Sequence, residues 1–367
     1  MLGLGNSLIR QQPPSTADTT SFISTWETAG ASEANRTVTL PLVSSGSINF
    51  TIDWGDSTAE ETITAYDDAD RIHIYAAEDT YTVTMAGTIK GFKMNNDANN
   101  KTKLKTITQW GTFDISTPDA FKGCTALNVS ATDAPTISST DMNETFNSCT
   151  SLTSIGGDWD VSSVQNMSGM FSSATVFNQD ISSWDVSAVT NMSEMFYNAE
   201  AFNQPLAAWG SKTSNVTVMN KMFQHAFAFD QPIGAWNVSK VTNFAELFQG
   251  VWNNQTIFNQ DLSDWDTAAA TAMNSMFLYS GSFTGDGVSS FDIAEVTTMA
   301  RMLEGANALT TANYDALLIA WEGQTEQADV SFHAGDAVMT TGGDAEAARD
   351  ALVANGWTII DSTGTHT

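Results

Sequence analysis

"NMSEMFYNAEAFNQPLAAW" spans Asn191–Trp209, and 25 residues earlier the chain reads "NMSGMFSSATVFNQDISSW" over Asn166–Trp184. Self-similarity at a fixed period is sought before any motif, because missing it misassigns the whole fold. Trp159, Trp184, Trp209, Trp236 and Trp265 follow one another at steps of 25, 25, 27 and 29, and Phe291 takes the next place 26 further on. A Met-x-x-Met-Phe phrase runs in phase at Met167–Phe171, Met192–Phe196, Met219–Phe223 and Met273–Phe277, with looser copies at Phe244–Phe248 and Met299–Leu303. Upstream, "FKGCTAL" from Phe121 and "FNSCTSL" from Phe146 continue the 25-residue step. About eight rungs are expected between roughly residues 100 and 310.

Within one rung, Ile181, Trp184 and Val186 have the L-x-x-L-x-L spacing of a leucine-rich-repeat strand. Val189, Met192, Met195, Phe196 and Ala199 then recur every three or four residues, which predicts a short helix. Ser187 stands at its N-cap position, and Phe202, Asn203 and Gln204 make the turn into the next strand. One such unit cannot bury its apolar side alone, whereas stacked copies share a core. "WDVSAVTNMSEMFYNAEAFNQ" (Trp184–Gln204) resembles the BspA-like bacterial surface-protein repeat, a leucine-rich-repeat-like unit of about 26 residues. That resemblance implies a surface-recognition scaffold of stacked repeats.

Before the repeats, Asn49–Ile52 and Tyr81–Met85 alternate apolar and polar residues as half-buried strands do. "DWGDS" at Asp53–Ser57 together with "YTVTMAG" at Tyr81–Gly87 resembles a PKD-type β-sandwich, which implies a spacer or support module. After the repeats, "NYDALLIAWEGQ" predicts a helix, "ADVSFHAG" a strand, "DAEAARDALVANGW" a helix stopped at Gly356, and "TIID" a last strand. The expected fold is therefore multidomain: an N-terminal PKD-like β-sandwich, then an α/β leucine-rich-repeat-like solenoid with a C-terminal α/β cap. The expected boundaries are 1–19 for an N-terminal arm and linker, 20–95 for the sandwich, 96–310 for the solenoid and 311–367 for the capping segment.

The composition sets limits on function. Forty-two Asp and Glu against 14 Lys and Arg give a net charge of −28, which argues against a nucleic-acid partner, whose backbone must be neutralised by positive charge. No stretch approaches 18 consecutive apolar residues, so no membrane insertion is expected. "MLGLGNSLIRQQPPSTADTT" has neither a basic n-region nor a long apolar core, which argues against a Sec signal peptide. There is no G-x-S-x-G, H-E-x-x-H or Walker A phrase, and His73, His225, His333 and His366 sit in different segments. A non-enzymatic protein without cofactor is expected, and a glycan-processing enzyme with paired carboxylates is the remote alternative.

Asp160, Asp185, Asn237, Asp266 and Asp292 each follow the aromatic of their rung, with Gly210 interrupting the series. Opposite in direction to the aromatic, they are expected to line one exposed face at a strand spacing of about 5 Å. Two readings stand open: a cation-seeking face with Ca²⁺ as the candidate ion, or a charged face that keeps the array soluble. Cys124 and Cys149 fall at equivalent places of adjacent rungs, within disulfide range if stacked; buried thiols are the favoured reading. Trp252 and Tyr279 stand outside the repeat frame in long rungs, and insertions of this kind emerge on one face, often the binding one. They and the four aspartates are the candidate ligand contacts.

The expected function is that of a virion-associated structural and adhesion protein (tail fibre, spike or capsid decoration) that contacts a host-surface glycan or protein. Similar repeats occur in phage proteins, and the apolar opening resembles the glycine- and leucine-rich starts of some marine phage structural proteins. Leu2, Leu4, Leu8 and Ile9 are the candidate docking residues toward other virion proteins, and a homo-oligomer is a further candidate assembly. The alternative is an adhesin on a bacterial cell surface.

Overall fold

The computed structural model describes residues 18–94 and 99–367. The proposed docking residues Leu2, Leu4, Leu8 and Ile9 lie outside them.

Alternation of apolar and polar side chains sets the N-terminal strands. In β1 (Phe22–Glu27) Phe22, Ser24 and Trp26 point inward, and in β3 (Asn49–Asp53) Phe50 and Ile52 do so. The short helix α1 (Glu33–Arg36) is capped by the Ser32 hydroxyl and leads into β2 (Thr37–Thr39), which pairs with β5 (Ile72–Ile74). Strands β4 (Glu61–Ile63), β6 (Thr80–Lys90), β7 (Leu104–Gln109), β8 (Phe113–Ile115), β9 (Asn128–Val129) and β10 (Thr136–Ile137) complete the region. The main sheet runs β10-β8-β6-β1-β7-β9, with β3 on β6 and β4 on β3.

The expectation of a separate PKD-like sandwich is overturned by this sheet. The eleven residues of β6 outrun their antiparallel partners β1 and β3, and Ile89 and Lys90 pair in parallel with Phe113 and Asp114 of β8. On the other side β1 pairs with β7, which pairs in parallel with β9. Strands before residue 95 and after residue 103 therefore share one mixed eight-stranded sheet.

The expectation of an α/β leucine-rich-repeat-like solenoid is corrected as well. Among the described residues from 138 to 310 there is no α-helix and no strand, only tandem turns, two 3-10 pieces at Ala207–Thr213 and Val288–Ser290, and isolated bridges. The backbone angles give the reason. Asp119, Glu144, Gly169, Glu194, Lys221, Glu246, Ser275 and Arg301, one per copy of the repeated phrase, all have φ between 52° and 61°. Four residues later a second left-handed residue follows in most copies: Ser148, Ser173, Asn198, His225 and Tyr279, with glycine at Gly123 and Gly305. A left-handed residue every fourth position cannot belong to an α-helix.

The hydrogen bonds agree with that geometry. Met170 N donates to Met167 O at 3.2 Å, Ser172 N to Gly169 O at 3.0 Å and Ala174 N to Phe171 O at 3.0 Å, each closing a turn over three residues. The alternate amides leave the copy altogether: Met167 N, Gly169 N, Phe171 N and Ser173 N reach Asn191, Ser193, Met195 and Tyr197 carbonyls at 2.7–3.0 Å. Parallel bridges link Asp141, Asn166, Asn191, Val218, Asn243, Ala272 and Thr298 in order. Turns of this kind still place every third or fourth side chain inward, so the apolar spacing is that of a helix while the backbone is not.

The inward side chains stack in register. Phe121, Phe146, Phe171, Phe196, Phe223, Phe248 and Phe277 form a column with successive centroids 5.4–5.9 Å apart. Phe177, Phe202, Phe229, Phe258 and Phe283 form a second column at 6.0–6.3 Å, each ring 3.9–4.0 Å from its neighbour in the first. All these rings are buried, and they belong to one apolar cluster that runs from Phe22 to Ile359.

At the C-terminal end, α2 (Thr311–Glu322) is capped by the Thr310 hydroxyl, and α3 (Asp344–Ala354) is followed by Gly356 at φ 92°, where the sequence predicts a stop. Strands β11 (Ser331–His333), β12 (Thr358–Asp361) and β13 (Gly364–His366) form a small sheet, and Phe332 of β11 bridges to Met299.

Candidate functional site

Phe229 lies four residues after His225, whereas the equivalent Phe258 lies eight after Gly250. The added residues fold back on themselves: Val251 and Asn254 exchange both backbone hydrogen bonds at 3.1 and 3.0 Å, leaving Trp252 and Asn253 as the tip of a two-residue hairpin. Trp252 is 78% exposed, whereas the other ten tryptophans are 4% exposed or less. Its ring meets Tyr279 edge to face, with centroids 6.1 Å apart and planes at 79°.

The base of the hairpin is held from inside the protein. Thr256 Oγ1 lies 3.0 Å from the Phe248 carbonyl and 3.0 Å from Ser280 Oγ, and Ser280 Oγ reaches the same carbonyl at 2.9 Å. Thr256 and Ser280 are both buried. Two glycines allow the close approach. A Cβ on Gly250 would fall 2.5 Å from the Tyr279 carbonyl oxygen, and one on Gly305, at φ 74°, would fall 2.4 Å from Tyr279 Cδ1. Tyr279 itself has φ 56° and occupies the left-handed column filled by Ser173 and Asn198 in other rungs.

Beside the aromatic pair, Arg301 holds Glu304 through two bonds, Nε to Oε2 at 2.7 Å and Nη2 to Oε1 at 3.0 Å. The carboxylate, with a contribution from the Tyr279 hydroxyl, pushes the guanidinium pKa further up, and the guanidinium holds Glu304 below its usual range. His333 stands 3.9 Å from the same carboxylate. The pair is thus electrically balanced in a molecule of net charge −28. Trp252 and Tyr279 are brought together, as separate sequence signals did not foretell.

The four aspartates are elsewhere and each is occupied locally. Asp160 Oδ1 accepts from the Ser162 amide at 3.1 Å and its hydroxyl at 2.6 Å, and Asp185 Oδ1 accepts from Ser187 at 3.1 and 2.5 Å. Asp266 and Asp292 accept the amides of Ala268 and Ala294 at 3.2 and 3.0 Å. Asn237 does the same for Ser239, so the shared requirement is a side-chain acceptor that closes a turn, not a charge. The hydroxyls, then the amides, hold Asp160 and Asp185 below the usual carboxylate range. Among the described residues no cluster of three or more His, Cys, Asp and Glu is arranged to hold a metal ion. Cys124 and Cys149 are buried and not joined by a disulfide; burial pushes the Cys149 thiol up.

A second ladder escaped sequence reading. Asn178 Oδ1 accepts from Asn203 N at 3.0 Å, Asn203 Oδ1 from Asp230 N at 3.0 Å, Asp230 Oδ1 from Asn259 N at 2.9 Å, and Asn259 Oδ1 from Thr284 N at 2.9 Å. Gln204, Gln231 and Gln260 add amide donors to the same oxygens at 2.7–3.0 Å. The signal is the Asn-Gln or Asp-Gln that follows Phe177, Phe202, Phe229 and Phe258.

The geometry defines a protein built from repeated tandem-turn units, stapled by side-chain ladders and carrying one protruding aromatic hairpin. The chain belongs to the family described as Mycoplasma protein of unknown function, DUF285, whose pattern matches residues 115–213 and again 210–316. That family is associated with BspA-like repeats, in line with the resemblance in the repeated phrase. The PKD-like and phage resemblances have no counterpart in this match. No curated protein and no solved structure matches the chain.

Proposed function

We propose that this chain is a non-enzymatic adhesion protein whose repeat array carries the Trp252–Tyr279 hairpin to an external surface, in the setting of a virion. The observation that carries this reading is the hairpin itself. A tryptophan 78% exposed at the tip of an internally braced turn meets its own chain only along one edge, against Tyr279, and exposed aromatics of this kind are the anchors of recognition surfaces. The stapled column behind it gives a stiff support.

The virion setting rests on the resemblance of the repeated phrase to repeats that occur in phage proteins. The second setting, a bacterial cell surface, is favoured by the family match, which is described for proteins of a cellular bacterium. Mass spectrometry on purified virions and on separated envelope fractions from one source distinguishes them. Fixed stoichiometry with capsid or tail proteins is the expected result. Enrichment in the envelope, with virions clean, would overturn the virion setting.

A further inference from the structure

We infer that the corner formed by Trp252 and Tyr279 is a binding site for neutral glycans, taking one pyranose ring of a longer chain. This rests on the recognition reading above and adds the class of ligand.

Ring geometry comes first. With planes at 79° and centroids 6.1 Å apart, the two aromatics present a face and an adjoining wall, not a flat field. A pyranose has one apolar C–H face and a rim of hydroxyls, so it can lie on the indole while its edge meets the tyrosine. Asn253 and Asn254, the two residues after Trp252, are exposed, and their side-chain amides carry both donors and acceptors for hydroxyls.

Charge then excludes the neighbouring ligand classes. The net charge of −28 repels sulfated, phosphorylated or sialylated chains. A quaternary ammonium, which an aromatic corner also suits, finds the neighbouring Glu304 carboxylate already held through both oxygens by Arg301. Arg301 is satisfied by both oxygens of Glu304, so it does not call for an anion. What remains is a ligand with an apolar face, many hydroxyls and no net charge.

Extent argues against a protein partner. Stable protein interfaces cover about 800 Å² on each side. Around Trp252 the other exposed large apolar residue in the same rung is Ile257, and the remaining ones (Tyr66, Ile72, Ile74, Val176, Ile319 and Val338) stand in other parts of the chain. A one-ring contact fits this patch better than a broad apolar face.

Bracing makes the corner a preformed site. The buried Thr256–Ser280 pair and the close packing of Gly250 and Gly305 against Tyr279 hold the base of the hairpin and the tyrosine before a ligand arrives, which lowers the ordering cost of binding.

The experiment uses the full chain against an immobilised panel of neutral hexose and N-acetylhexosamine oligosaccharides, with sulfated and sialylated oligosaccharides alongside. Because Trp252 is exposed and the other tryptophans are buried, acrylamide quenching of the accessible fluorescence reports on this side chain. Wild type is expected to bind at least one neutral oligosaccharide, and that ligand is expected to shield the quenchable fraction. W252A and Y279A are expected to bind roughly tenfold more weakly, with unchanged unfolding midpoints, and W252F to retain part of the affinity. Silence of the neutral panel, binding confined to the anionic members, or equal binding by W252A would overturn the inference. If the panel is silent while W252A abolishes attachment to cells, the glycan assignment fails and the adhesion reading stands with a protein ligand.

Discussion

Replacing Glu194 and Ser275 together by glycine is expected to stabilise the protein, and the sign of the effect separates tandem turns from helices. Both residues sit in the left-handed region, at φ 57° and 54°, and neither side chain makes a hydrogen bond or ion pair that the change would remove. An L-residue held there costs about 1–2 kcal/mol relative to the right-handed region, and glycine does not. Against this, glycine adds about 0.5–1 kcal/mol of unfolded-chain entropy. The net gain is about 0.5 kcal/mol per site, or about 1 kcal/mol for the pair, whose positions lie three rungs apart and so add. In the helix that the apolar spacing suggests, each glycine would instead cost about 0.5 kcal/mol relative to the Glu or Ser it replaces. The two accounts thus differ by about 2 kcal/mol. Urea unfolding of wild type and the double variant, followed by far-ultraviolet dichroism with midpoints and slopes compared, resolves that difference. The reciprocal change G169A, at φ 61° and with a Cβ 3.1 Å from Glu144 Cγ, is expected to destabilise by about 1 kcal/mol. A loss of stability in the double variant, or a gain in G169A, would refute the turn geometry.

Three further outcomes follow from the ladders and columns. Phe196 is fully buried and touches Phe171, Phe202 and Phe223, so F196A is expected to cost about 3–5 kcal/mol in the same urea assay. N203A removes the acceptor of Asp230 N and Gln231 Nε2 and is expected to cost about 2 kcal/mol, while N203D, which copies the natural Asp230 of the next rung, is expected to cost less. Asp160 and Asp185 are held below their ordinary range in the folded state, so their contribution is present above the unfolded pKa of about 4 and is lost as pH falls through the lower folded values. D160N/D185N, which keeps the acceptors as Asn237 does but not the charge, is expected to be somewhat less stable than wild type at pH 7 and to lose stability less steeply below pH 4 in acid titrations of the unfolding midpoint.

The repeat and its core were legible in the sequence, because stacking forces the same apolar residue into each copy. Trp184, Met192, Met195, Phe196 and Phe202 are all buried where their period placed them. The backbone that carries them was not, since a period of three or four residues is common to helices and to tandem turns closed every third residue. The distinguishing signal was present but sparse: glycine at Gly123, Gly169 and Gly305, in columns otherwise filled by Asp, Glu, Ser, Asn, Lys, Arg, His and Tyr. The N-terminal boundary was obscured for another reason. Register carries β6 past its antiparallel partners into a parallel pair with β8, and nothing in local alternation reports which distant strand will lie alongside. At the candidate site, Trp252 stood out as a residue outside the repeat frame, whereas Tyr279, expected to lie outside it too, occupies the regular left-handed place of Ser173 and Asn198. The edge-to-face contact of Trp252 and Tyr279 depends on the length of the hairpin and on Gly250 and Gly305, which only the fold relates to one another. The aspartate series was visible as a pattern, but its turn-closing role was not, because a turn-closing acceptor and a cation ligand draw on the same residue type.

The central claim is that the Trp252–Tyr279 corner attaches this protein to an external surface, and attachment itself tests it most directly. Labelled wild-type protein and W252A/Y279A are mixed with intact cells from the source culture, and bound label is counted after washing, with equal unfolding midpoints as the control for folding. Saturable binding by wild type and a loss of at least tenfold in the double variant are expected. Equal binding by both proteins would contradict the account and move the contact surface to another part of the chain.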